Sequence, residues 1–105
     1  MLEIDVQELQ EKINNQEDFI LLDVRRDDEH AFAQIEGSVH IPLHSLEDQV
    51  SQLDQTKEII VYCHHGMRSL KGAEILLKKG FPKVINLTGG IHRWSEQIDP
   101  SVPTY

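Results

Sequence analysis

Ile59-Ile60-Val61-Tyr62-Cys63-His64-His65-Gly66-Met67-Arg68-Ser69 is the stretch on which both the fold and the chemistry of this chain turn. Its first four residues are apolar and mostly β-branched, which reads as a buried strand. A short loop carrying Gly66 follows. Ala73, Ile75, Leu76 and Leu77 then read as a helix, ended by Gly80. A strand that passes through a loop into a helix sets Cys63, the only cysteine, at the strand's carboxyl end. There the sulfur faces loop amides and a helix N-terminus, which are unpaired donors that favour an anion. The anion is the thiolate, the nucleophilic form of cysteine.

Working outward, Lys57-Glu58 lead into this strand, and before them Ser45 reads as the cap of a helix with Leu46, Val50 and Leu53 on one face. Val39-His40-Ile41-Pro42 reads as a short strand ended by proline. Asp27-Asp28-Glu29 open a short helix through Ala31, Phe32 and Ala33, broken at Gly37. Phe19-Ile20-Leu21-Leu22, closing on Asp23-Val24-Arg25, reads as another buried strand. Asp5, with Glu8 three residues on, caps a helix carrying Val6, Leu9 and Ile13 that ends at Asn14-Asn15-Gln16. In the other direction, Phe81-Pro82 turns into a strand over Lys83-Val84-Ile85-Asn86-Leu87. Gly89-Gly90 then turn into a last helix through Ile91 and Trp94, and Asp99–Pro103 is an extended tail.

Strands apolar on both faces alternate with helices throughout. That is the pattern of an α/β fold, a parallel sheet of about five strands flanked on both faces by helices. Sites in such sheets lie at the carboxyl ends of the strands, where Cys63 falls.

The chain's 105 residues allow one core, so residues 1–105 are expected to form a single domain. Composition is that of an ordinary globular protein, with 39% apolar and 27% charged residues. No apolar run is long enough to cross a membrane, and the acidic start Met1-Leu2-Glu3-Ile4-Asp5 lacks the basic-then-apolar order of a secretory signal. A lone cysteine excludes an intrachain disulfide and fits a reducing, cytoplasmic setting. The net charge of −8 argues against nucleic acid and anionic membranes as partners. It also means that a small anionic substrate needs a local positive site. No metal is expected: with one cysteine, two adjacent histidines and the other histidines in separate segments, no paired ligand spacing is present.

Taken together, Cys63-x-x-Gly66-x-Arg68-Ser69 followed by a helix resembles the active-site loop of rhodanese-family sulfurtransferases. The likeness extends along nearly the whole chain. Asp23-Val24-Arg25 with Glu29 resembles the family's second-strand segment, and Ile35-Glu36-Gly37-Ser38-Val39-His40-Ile41-Pro42 its substrate-side connection. Gly80-Phe81-x-x-Val84-x-x-Leu87-x-Gly89-Gly90-x-x-x-Trp94 resembles its closing strand and helix. The chain departs in having Ala33-Gln34 before Ile35, where many members have Gly-His, a change that bears on a turn and not on the chemistry.

The resemblance implies a rhodanese-like fold and a thiosulfate or persulfide sulfurtransferase that needs no cofactor. Cys63 is the nucleophile and sulfur carrier, and the amides of His64, His65, Gly66, Met67, Arg68 and Ser69 cradle its persulfide. Arg68 and His65 would bind an anionic sulfur donor, and the acceptor is a thiol or cyanide. The implied partners are these small molecules or, for a relay, a cysteine desulfurase or a sulfur-accepting protein. The tail Ile98-Asp99-Pro100-Ser101-Val102-Pro103 and Tyr105 resembles the ends of rhodanese domains attached to ubiquitin-like-protein activating enzymes, which implies sulfur relay.

Two other functions compete. One is a sulfur-carrier or protein-interaction module with little thiosulfate activity, although modules that have lost activity commonly lack the cysteine. The other is a cysteine-dependent phosphatase, whose signature places five residues between cysteine and arginine. Here four intervene, His64 to Met67, which makes a smaller pocket suited to sulfur. Arg68 is open to two roles, binding substrate or pairing with a carboxylate. Arg25 and Glu29, four apart, read as a structural ion pair, Asp23 as a cap, and Trp94 as core.

Overall fold

The computed structural model describes residues 2–105. Five strands, β1 (Leu2–Ile4), β2 (Phe19–Asp23), β3 (Val39–His40), β4 (Glu58–Tyr62) and β5 (Val84–Leu87), form one parallel sheet in the order β1-β5-β4-β2-β3. A helix lies in every connection, as parallel pairing demands. These are α1 (Val6–Asn14), α2 (Asp27–Phe32), α3 (Leu43–Gln49), which runs into a 3₁₀ turn at Val50–Gln52, and α4 (Arg68–Lys78). α5 (Gly90–Gln97) follows β5. The expected α/β sheet is therefore present.

The central strand β4 pairs with β2 through Leu21↔Ile60 and Leu22↔Val61, and with β5 through Ile60↔Ile85 and Val61↔Asn86. Its alternate side chains feed two cores. Ile60 and Tyr62 join Leu21, Leu9, Ile91 and Trp94 on the face covered by α1 and α5. Ile59, Val61 and Cys63 join Leu22, Leu46 and Leu76 on the face covered by α3 and α4. Trp94 is core, as expected. The helices that follow the neighbouring strands β4 and β5 thus leave to opposite faces. Their divergence opens the sheet's carboxyl edge between those two strands.

Four local readings are corrected. The fifth strand, β1, was not apparent from sequence, because only Ile4 of its three residues is buried and no alternation can be seen in so short a piece. β3 stops at His40, although the Ile41 N–H still reaches the Asp23 carbonyl at 3.0 Å. α3 begins at Leu43 and not at Ser45, since Pro42 occupies the cap position and its carbonyl takes the Ser45 N–H at 2.9 Å. α2 ends at Phe32, with Ala33 already extended, so Gly37 does not end it. The α1 start is as expected: Asp5 Oδ1 accepts the Glu8 N–H at 2.8 Å, and Glu8 Oε1 accepts the Asp5 N–H at 3.3 Å.

Candidate active site

Cys63 directly follows β4 and is 1% exposed. Its Sγ accepts the backbone N–H of Gly66 at 3.1 Å and of Ser69 at 3.4 Å. The Ser69 hydroxyl also meets Sγ, at 3.4 Å, while giving its own proton to the side-chain oxygen of Asn86 in β5. With that proton spent, the hydroxyl receives the thiol S–H, and the two amides are the groups that donate to sulfur. The amides of His65, Met67 and Arg68 have no acceptor among the described residues. Two backbone N–H groups of one loop, those of Gly66 and Ser69, converge on the sulfur as in an anion nest.

The loop takes this shape because β5 and α5 hold it from behind. The Ile91 N–H donates to the Cys63 carbonyl at 2.9 Å, and the His92 N–H to the His64 carbonyl at 3.0 Å. The first amides of α5 therefore occupy the loop's carbonyls and leave the loop's own amides for the thiol. Two glycines permit the approach. Gly90 has φ +58°, and a Cβ there would lie 2.4 Å from the Cys63 carbonyl oxygen and 2.5 Å from that of His64. Gly66 has φ +104°, and its Cβ would meet the Gly89 nitrogen at 3.2 Å.

Arg68 opens α4 beneath the loop and pairs with a carboxylate, one of the two roles left open by its sequence. Its Nη1 donates to Glu29 Oε1 at 2.6 Å and its Nη2 to Oε2 at 2.8 Å. These hydrogen bonds hold the Glu29 carboxyl well below the usual carboxylate range. Burial opposes them, and the Tyr105 hydroxyl and the Arg26 N–H reinforce them.

The expected Arg25–Glu29 ion pair does not form. Buried Arg25 gives its guanidinium to Asp23 at 2.9 and 2.7 Å and to the Ala33 carbonyl at 2.5 Å, and it reaches Glu29 only through the backbone oxygen, at 3.3 Å. Asp23 is accordingly not a helix cap. It takes the Arg25 side chain, the Arg25 N–H at 3.0 Å and the His30 ring at 2.8 Å. Burial pushes the Asp23 carboxyl up, but the hydrogen bonds from Arg25 and His30 outweigh it and hold the carboxyl below its ordinary value.

Two residues in this network were missed from sequence. Asn86 had a signal, as the one amide in the apolar run Val84–Leu87. Tyr105 had none. Its hydroxyl donates to Glu29 Oε2 at 2.8 Å and accepts from Arg25 Nη1 at 2.8 Å, while its ring stacks on His64 with centroids 3.8 Å apart.

Of the remaining loop residues, Met67 is 75% exposed and His65 is exposed, so neither side chain reaches the sulfur. His64 is half-buried, and burial, then the neighbouring His65, hold its imidazole below the ordinary histidine range. The fold also brings in a histidine that the sequence had placed apart. The His92 ring of α5 lies 4.9 Å from the His65 ring and 5.9 Å from the His64 ring. Beside α4, a cleft of about 400 Å³ is lined in part by Arg26, His44, Arg68 and Lys71. Its arginines are paired with carboxylates, Arg26 with Asp28 and Arg68 with Glu29, and Val24, Leu43 and Ile75 make much of its wall apolar.

The sequence profile of the Rhodanese-like domain family matches residues 5–97. A relative from Bacillus subtilis (strain 168), named "Putative sulfur carrier protein YrkF", is 39% identical over 92% of this chain. The chain spans about half, 52%, of that relative's length. A protein of Allochromatium vinosum named "Sulfurtransferase" is 31% identical over 95% of this chain and 94% of its own. The crystal structure of a rhodanese-related protein from Thermoplasma volcanium superposes with a TM-score of 0.86 at 31% identity, covering 100% of both chains.

Proposed function

This chain belongs to the rhodanese-like domain family, a family of sulfurtransferases and sulfur carriers, and on that premise we propose that it moves a sulfane sulfur through a persulfide on Cys63. Residues 1–105 act as one domain in this reading. The observation that carries the proposal is the sulfur with two backbone N–H donors at 3.1 and 3.4 Å inside a loop whose His65, Met67 and Arg68 amides have no acceptor among the described residues.

Thiosulfate illustrates the chemistry. The Cys63 thiolate attacks the sulfane sulfur, and the bond to the sulfonate sulfur breaks with its electron pair leaving as sulfite. Cys63 then carries a persulfide whose terminal sulfur is anionic. The free amides of His65, Met67 and Arg68 stabilise that charge as an oxyanion hole does, already oriented by the α5 contacts. Cyanide or a thiolate next attacks the terminal sulfur, the Cys63 S–S bond breaks, and the thiolate returns. This is covalent catalysis in two half-reactions. The His64, Gly66 and Ser69 backbone completes the cradle. Arg68, tied to Glu29, fixes the start of α4. No cofactor takes part.

Steady-state formation of thiocyanate from thiosulfate and cyanide tests the reading. It predicts parallel double-reciprocal lines and no turnover in Cys63→Ser. Hydrolysis of an aryl phosphate that depends on Cys63 would overturn it. A second reading, a carrier loaded by a protein donor, is favoured by the buried thiol beneath an exposed loop rim at Met67, and by the carrier name of the Bacillus relative. Loading by a cysteine desulfurase without loading by thiosulfate would select it. The cytoplasm, where such donors and free thiols coexist, is the setting we propose.

A further inference from the structure

We propose that His64, His65 and His92 form a binding site for a late first-row divalent metal ion, with zinc as the representative, at the rim of the Cys63 loop. Each histidine offers one ring nitrogen, and no two of these lie more than 4.8 Å apart. Zinc–imidazole bonds of about 2.0–2.1 Å set tetrahedral ligand nitrogens about 3.3 Å apart. Small rotations of the three side chains, His65 exposed and His64 and His92 half-buried, close the difference.

Two further observations point to a ligand. His64 Nε2 and His92 Nδ1 are both buried and have no hydrogen-bond partner among the described residues. Buried polar nitrogens are nearly always paired, so two orphans from different elements in one cluster call for an occupant. In addition, His92 Nε2 lies 3.5 Å from Glu96 Oε2. At that distance the two form no hydrogen bond, but the carboxylate favours the ring proton on Nε2 and so leaves Nδ1 as a lone pair, the usual arrangement of a metal-binding histidine. His64 is held from the other side by the stacked Tyr105 ring.

The charge balance permits a cation. The positive end of α5 opposes one, but its first free amides are given to the Cys63 and His64 carbonyls. The chain as a whole carries −8. An all-imidazole set selects zinc, cobalt, nickel or copper over magnesium or calcium and leaves a fourth position open. Cys63 Sγ is buried behind the loop and is not part of the set. A bound ion would tie the loop to α5 through side chains, beside the backbone ties already present. The site stands independently of the sulfur-transfer reading.

Calorimetric titration of the full-length Cys63→Ser chain with zinc is the test. A single equivalent should bind, with affinity at least 10-fold weaker in both His92→Ala and His92→Gln, and about 10- to 100-fold weaker in Glu96→Gln. Cobalt bound to the unsubstituted chain should show ligand-field bands without a thiolate-to-cobalt charge-transfer band. Unchanged affinity in the His92 variants, binding lost in Cys63→Ser, or no binding of zinc, cobalt or nickel would each overturn the site.

Discussion

Gly90→Ala is the substitution that most sharply tests how the thiol loop is held. A Cβ at residue 90 would lie 2.4 Å from the Cys63 carbonyl oxygen, whereas ordinary contact begins at 3.4 Å, so the loop must retreat by about 1 Å. The clash is with backbone, which has no rotamer to escape into. Alanine at φ +58° adds about 1–2 kcal/mol of left-handed strain. The retreat also stretches the hydrogen bonds from Ile91 N–H to the Cys63 carbonyl and from His92 N–H to the His64 carbonyl, each worth about 1 kcal/mol. The expected loss is about 3–4 kcal/mol. At about 4–8 °C per kcal/mol for a domain of this size, Tm falls by about 12–32 °C. Against a typical stability of about 5–15 kcal/mol, at least about 1 kcal/mol remains, so most of the variant is folded at room temperature and its chemistry can be measured. A misplacement of about 1 Å costs on the order of 100-fold in rate. Calorimetry gives the Tm, and stopped-time mass analysis gives the rate of sulfur loading on Cys63. A variant that melts within about 3 °C of the parent and loads at the same rate would refute the argument that α5 positions the loop.

Glu29→Gln removes the carboxylate that Arg68 grips and should cost about 1.5–3 kcal/mol in urea unfolding, the range for hydrogen bonds to charged groups. The pH dependence has a definite sign. The folded Glu29 carboxyl is held below its unfolded value of about 4.3, so its stabilisation is complete above that pH and is lost as pH falls below it. The parent should therefore lose stability more steeply than Glu29→Gln between about pH 5 and pH 2; equal slopes would contradict the pair. Asp23, also lowered, contributes acid sensitivity to both proteins and so cancels in the comparison. Ser69→Ala strands the buried Asn86 oxygen and should cost about 1–3 kcal/mol, read by urea unfolding. Because the Ser69 amide still faces the sulfur, loading of Cys63 should persist, and its complete loss would show that the hydroxyl does more than position.

Much of the fold was legible because its signals are local. The β-branched run ending at Cys63, the Asp5/Glu8 capping box and the glycine after α4 each depend on neighbours in sequence. The strand β1 was not, since Leu2–Ile4 is a strand only through pairing with β5, more than eighty residues away. The same division holds at the site. Cys63, Gly66 and Ser69 could be read from one loop, and their geometry follows from backbone turns. Partners were harder. Arg25 and Glu29 have the spacing of a pair, yet Asp23 is closer to Arg25 and Arg68 arrives at Glu29 from α4, so the expected bond is replaced by two others. The roles of Tyr105 and His92 exist only because α5 and the tail fold back over the loop, which no spacing along the chain reveals.

The claim on which the account rests is that Cys63 itself carries the transferred sulfur. The most direct measurement is the intact mass of the protein after incubation with thiosulfate, and separately with a cysteine desulfurase and cysteine, followed by peptide mapping under non-reducing conditions. The account predicts a gain of one sulfur atom from at least one donor, located on the peptide containing Cys63, released by cyanide, and absent in Cys63→Ser. No gain from either donor, or a gain that survives Cys63→Ser, would contradict it.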